Sequence, residues 1–78
     1  MSFSVTTVEA YYTPDGWPVP STLRWNGVTL RIINHGRRWR HDDGIHMLVM
    51  VADGRVFELH TNGSLWRAKV VSDPGHFA

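Results

Sequence analysis

The sequence predicts an all-β fold, a meander of six short antiparallel strands, and three observations carry that expectation. The dipeptides Asn26-Gly27, Asp53-Gly54 and Asn62-Gly63 each suit the left-handed dihedrals of a two-residue type I′ hairpin turn. The runs between them alternate apolar and polar residues with the period of two that marks a half-buried strand. The intervals between turns leave no room for a substantial helix.

The elements follow in order, with bounds good to about two to four residues. A first strand spans about 3–12 and ends at the compact turn Pro14-Asp15-Gly16. Pro18 and Pro20 block a regular ladder, so the second strand covers about 20–26 and the stretch before it is irregular or an edge. The third strand, about 28–40, sets Val28, Leu30 and Ile32 against Thr29, Arg31 and Ile33. Asp42-Asp43-Gly44 divides it from a fourth, about 45–52, which is apolar on both faces. Met47, Val49 and Val51 share one face and Leu48 and Met50 the other, so this strand is central or covered on its second side. Phe57 and Leu59 oppose Glu58 and His60 in the fifth strand, about 55–61. Trp66, Ala68 and Val70 oppose Arg67 and Lys69 in the last, about 64–71.

A sheet of such short strands with no helix to cover it must curl to bury one face. The result is a small SH3-like barrel or a strongly bent sheet. Its expected core is Trp25, Val28, Leu30, Ile32, Met47, Val49, Val51, Phe57, Leu59, Trp66, Ala68 and Val70. Trp39 stands among polar neighbours and is expected to cap one end, with Trp17 as a lid over an opening. Residues 72–78 read as a flexible tail.

Composition narrows the function. The 78 residues make one small domain, 1–78, with an ordered core of about 3–71. With 42% apolar and 19% charged residues, the chain is not of the disordered class. The absence of cysteine excludes a disulfide framework, thiolate zinc sites and cysteine nucleophiles. No apolar run approaches the ~18 residues of a membrane span, and the first seven residues lack the basic region of a signal peptide. A soluble cytoplasmic protein is the expectation.

With strands and turns placed, a family resemblance appears. Its carriers are Asp15-Gly16-Trp17-Pro18, Leu23-Arg24-Trp25-Asn26-Gly27, Arg38-Trp39-Arg40, Val56-Phe57-Glu58-Leu59 and Leu65-Trp66-Arg67. From about Val5 to Val71 the chain resembles an uncharacterised family of small bacterial β-domains, found alone or at the C-termini of Y-family DNA polymerase-like repair proteins. The family pattern is a D-G-x-P turn, an F-x-W-x-G hairpin, an R-W-R segment and a V-x-E-L strand leading to W-R. This chain departs from it at Leu23, where an aromatic is common, and after Arg40, where His41-Asp42-Asp43-Gly44 replaces a longer insertion. The resemblance implies a fold and no known activity.

Charge is unevenly spread. Residues 1–23, 24–41 and 42–78 carry −2, +5 and −2 in turn. All five central bases are Arg24, Arg31, Arg37, Arg38 and Arg40, and guanidinium forks suit phosphate and carboxylate alike. Interleaved with Trp25 and Trp39, they have the composition of a single-stranded nucleic-acid platform on a small barrel. Alternatively, Arg24 and Arg31 stand on a solvated sheet face and pair with Glu58 or Asp43 across strands. The pI of 8.3 falls short of a strongly basic footprint, so nucleic-acid binding is the second reading.

His41, Asp42, Asp43 and His46 place two imidazoles and two carboxylates around one turn. Their spacing matches no zinc signature, and a polar loop with no metal or other cofactor is the simpler expectation. For catalysis, His46, His60 and Glu58 are candidate bases and Ser4, Ser21, Ser64 and Ser72 candidate nucleophiles, but no nucleophile elbow, phosphate loop or paired-carboxylate site is present. A non-enzymatic module is expected, one that docks a protein partner or forms a homodimer. No membrane or small-molecule substrate is inferred. The speculative binding residues are Arg24, Arg31, Arg37, Arg38, Trp39 and Arg40.

Overall fold

Every turn signal becomes a chain reversal in the computed structural model, which describes residues 2–73. The strands are β1 (Ser4–Thr6), β2 (Val8–Tyr12), β3 (Pro18–Trp25), β4 (Val28–His41), β5 (Gly44–Val51), β6 (Val56–Thr61) and β7 (Trp66–Ser72). The class is all-β, and among the described residues there is no helix. All pairings are antiparallel, in the order β1-β7-β6-β5-β4-β3-β2, and the sheet curls into a half-barrel. No helix of the described residues is long and apolar enough to cross a membrane.

Seven strands replace the expected six because the first breaks at Thr7. β1 pairs with β7 through Val5↔Arg67, whereas β2 pairs with β3 through Tyr11↔Val19. One segment thus reaches both ends of the sheet. The crossing is pinned where the Thr7 carbonyl accepts the Arg24 N–H at 2.9 Å and the Thr6 hydroxyl donates to the Arg24 carbonyl.

Two turns differ from expectation. Asn26 and Gly27 both adopt positive φ, 51° and 79°, as a type I′ turn requires. At the other two hairpins only Gly54 and Gly63 do. There the side chains organise the turn instead: Asp53 Oδ1 accepts the Arg55 N–H at 3.0 Å, and Asn62 Oδ1 accepts those of Ser64 and Leu65 at 3.0 and 2.9 Å. The segment holding Pro18 and Pro20 is also more regular than expected, since both lie within β3. β3 pairs with β4 only from Thr22 onward, so the prolines occupy the half of the strand that needs ladder donors on one side alone.

The buried core is Leu23, Ile32, Met47, Val49, Val51, Phe57, Leu59 and Ala68, with Trp25, Leu30, Trp66 and Val70 packed against it. Trp25 meets Phe57 edge-on at 5.1 Å. Val28 is a correction. It shares the core face with Leu30 and Ile32 but sits beside the turn, past the end of the core, and is exposed. Leu23, absent from the expected core, is fully buried. Ser72 belongs to β7 rather than to a tail, and residues 74–78 lie outside the described residues.

Candidate functional site

β4 outruns its neighbour, and the site is built on the excess. Its first residues pair with β3 as far as Arg31; from Ile32 to His41 its partner is β5 alone. Register shifts between Ile32 and Asn34 and between His35 and Arg38 bend this free half. Arg37 and Trp39 alternate onto the outer face, while Arg38 and Arg40 oppose Met47 and Ile45 on the face that is core further along.

The turn between β2 and β3 brings Trp17 to those last two arginines. Thr13 shapes it: its N–H donates to the Trp17 carbonyl at 2.8 Å, and its hydroxyl accepts the Trp17 N–H at 3.0 Å. The guanidinium carbons of Arg38 and Arg40 lie 4.3 and 4.1 Å from the Trp17 ring centre, and that of Arg37 lies 5.0 Å from Trp39. These are cation–π contacts. Asp15 is held below 3.8 by the Thr13 hydroxyl and, more weakly, by Arg38 and Arg40.

A second set of side chains lies behind Trp39. The Trp39 ring stacks on His46 with centres 5.3 Å apart and planes 8° apart. His46 Nδ1 faces Glu58 Oε2 at 3.0 Å and its Nε2 faces Asp43 Oδ1 at 2.9 Å. A carboxyl group faces each ring nitrogen, an arrangement that favours the imidazolium, which donates from both. Burial opposes that charge, but the hydrogen bonds to Asp43 and Glu58 outweigh it and raise the group above 6.5. The same bond to His46 lowers Asp43 below 3.8. His60, directly across the β5–β6 ladder from His46, donates from Nε2 to the Asp43 carbonyl at 2.8 Å.

Gly44 makes this convergence sterically possible. A Cβ there would come within 2.2 Å of the Thr61 carbonyl oxygen, and its φ is 131°. Only glycine lets the Asp42-Asp43 turn close onto the end of β6. Phe3 then covers the cluster, 6.2 and 6.1 Å from the rings of His46 and His60, with Lys69 at 4.9 Å over its own ring and 3.8 Å from Glu58. This explains how β5 hides part of its second face: Trp39, Phe3 and Glu58 cover it at His46, leaving Leu48 and Met50 half-buried.

Of the sequence-derived site residues, the fold brings Arg38 and Arg40 together on Trp17, sets Arg37 and Trp39 together on the opposite face of the same half-strand, and leaves Arg24 and Arg31 apart. Opposite the stretch from Ile32 to Arg38, β5 runs only from Val51 to Met47, so roughly 17 Å of rise separates Arg31 from Arg38. The cross-strand pairing of Arg24 and Arg31 with Glu58 or Asp43 is not formed, since those carboxylates are engaged by His46 and Lys69. None of the five arginines makes an ion pair among the described residues. Trp39 does not cap the barrel; it lies on the outer face, in contact with His46 and Arg37.

Sequence reasoning missed the partnership of His60 and Glu58 with the His41–His46 turn. The residues are more than ten positions apart, and only the β5–β6 register joins them. A recess of about 200 Å³ opens where β3 and β4 diverge, lined in part by Pro18, His35, Gly36, Arg38 and Leu48. Comparison with family models, curated proteins and solved structures gives no match for this chain.

Proposed function

We propose that this chain is a non-enzymatic, cytoplasmic protein-docking module whose partner lays an extended acidic segment along the free edge of β4, from His35 to His41. The observation that carries this reading is the pair Arg38 and Arg40 held on Trp17, with Arg37 on Trp39 across the same half-strand, and no ion pair to any of the three among the described residues. An unpaired half-strand offers backbone donors and acceptors to an added strand. On one face Arg38 and Arg40 offer forks to its carboxylates. Their cation–π contacts hold them in place beforehand, which lowers the ordering cost on binding. The recess beside Leu48 gives an apolar side chain of the partner somewhere to go.

Catalysis has less support. Both nitrogens of His46, the best-placed base, are committed to carboxylates, and no hydroxyl contacts it among the described residues. A homodimer is less needed than a doubly apolar strand implies, because His46 on that face is covered within the chain. Single-stranded nucleic acid is the weaker reading. The Trp39 ring is already engaged within the chain by His46 and Arg37, which disfavours it as a stacking platform, and Arg24 and Arg31 lie apart from it.

Fluorescence anisotropy tests this with a labelled peptide of alternating Glu and Val and, separately, labelled oligo-dT. Saturable, salt-sensitive peptide binding that Arg38→Glu/Arg40→Glu abolishes and Arg24→Glu does not is the expected result. Tighter binding to oligo-dT than to the peptide would overturn the protein-docking reading in favour of nucleic acid.

A further inference from the structure

We propose that Asp43, His46 and His60 form a binding site for one divalent cation of the zinc class, with Glu58 as the outer partner of His46 and His41 as the fourth ligand. The donor atoms of the first three lie within 4.8 Å of one another. His46 Nε2 is 2.9 Å from Asp43 Oδ1, and His60 Nε2 is 3.7 Å from Asp43 Oδ2. Tetrahedral zinc with ligands at about 2.0–2.1 Å sets neighbouring donors roughly 3.3 Å apart, midway between those two separations. The donor separations, up to 4.8 Å, must close by as much as roughly 1.5 Å to reach that spacing, a movement of the Asp43, His46 and His60 side chains rather than of the strands that carry them.

The donor set is also chemically apt. Two imidazoles and one carboxylate suit a borderline ion better than a hard one, which would seek oxygen throughout. His46 is held on three sides: Trp39 stacks on its face, Glu58 accepts from Nδ1, and β5 fixes its backbone. A carboxylate on the distal nitrogen is the arrangement that directs the other nitrogen to a metal and raises its basicity. Glu58 is mostly buried and is held in turn by Lys69. His60 is 4% exposed, so its ring is already desolvated and ordered. An arriving ion takes the place of the proton on His46 Nε2 and of the His60 hydrogen bond to the Asp43 carbonyl. His41 is exposed on the same turn, its Nδ1 4.0 Å from Asp43 Oδ1, so a rotamer change closes the fourth position.

The site stands independently of the arginine surface, which shares with it only the ring of Trp39. Calorimetric titration of the chelator-treated, untagged chain with Zn²⁺ tests it, with Co²⁺ absorption as a second readout. The expected result is one ion per chain and the intense visible bands of tetrahedral Co²⁺. Glu58→Gln should weaken Zn²⁺ about 10–100-fold, the usual effect of losing an outer partner. His60→Gln should weaken it at least as much, and Asp43→Asn, on an exposed turn that does not hold the core, should weaken it more than tenfold. Absence of saturable binding overturns the site, as does octahedral Co²⁺ alone or an affinity unchanged in Asp43→Asn.

Discussion

Trp39 lies flat against His46, the rings 5.3 Å apart and 8° from parallel, at a directly paired position of the β4–β5 ladder. That contact joins the two halves of the site. Trp39 also carries the Arg37 guanidinium, and it shields a His46 ring that bridges Asp43 and Glu58. An indole face over a cation is a favourable electrostatic arrangement as well as a packing one.

Trp39→Ala should therefore destabilise the domain by about 1–3 kcal/mol, the sum of a stacked aromatic pair and lost apolar burial. Urea denaturation measures it. A change near zero would mean that Trp39 contributes nothing to holding His46.

The pH dependence of stability follows from the same bridge. The folded state binds the His46 proton more tightly than the unfolded chain does. Its contribution is therefore complete below about pH 6.5 and is lost as pH rises through the higher folded value. Asp43 is shifted the other way, so its contribution is complete above about pH 4 and is lost as pH falls through its lowered value. In ion-free protein the unfolding free energy should decline as pH rises from about 6.5 through the higher folded value of His46. His46→Gln should flatten that limb; equal slopes in variant and wild type would remove the imidazolium.

Gly44→Ala and Gly63→Ala separate steric closure from backbone conformation. Both positions have positive φ, but a Cβ at Gly63 meets nothing within 4 Å, whereas at Gly44 it strikes the Thr61 carbonyl. Gly63→Ala should cost about 1–2 kcal/mol. Gly44→Ala should cost roughly 3 kcal/mol or more and should also release His60 from the Asp43 carbonyl. Thermal denaturation of both variants compares them, and equal losses would contradict the close approach.

Phe57 anchors the core more completely than any tryptophan. It is fully buried, while Trp66 is only half-buried. Phe57→Ala should cost about 3–5 kcal/mol, a large part of what a domain this small possesses. Trp66→Ala should cost less, and a reversed order in chemical denaturation would show that Trp66 is the anchor.

The strands were legible because alternation and turn chemistry are local. Met47, Val49 and Val51 announce an inward face by themselves, and Asn26-Gly27 announces its turn. The break at Thr7 was not legible, because it follows from which edges β1 and β2 meet, a property of the closed-up sheet. Val28 read as core because periodicity says which face a residue takes and not whether the core extends that far. The arginine cluster was visible in the charge pattern, but Trp17, its main aromatic support, comes from another hairpin. Asp43 and His46 were visible around one turn, but their partnership with Glu58 and His60 was not, for the same reason. The four lie on a turn and two strands, and a one-residue slip in the β5–β6 register would turn Glu58 and His60 into the core.

The most direct test of the docking surface is an amide and indole NMR titration of the chain with the alternating Glu–Val peptide. Shifts should concentrate on the backbone amides of residues 35–41 and on the indole of Trp17, with the amides around Arg24 and Arg31 unmoved. Shifts centred on Arg24 and Arg31, or spread evenly over all basic residues, would contradict the assignment of binding to the free half of β4.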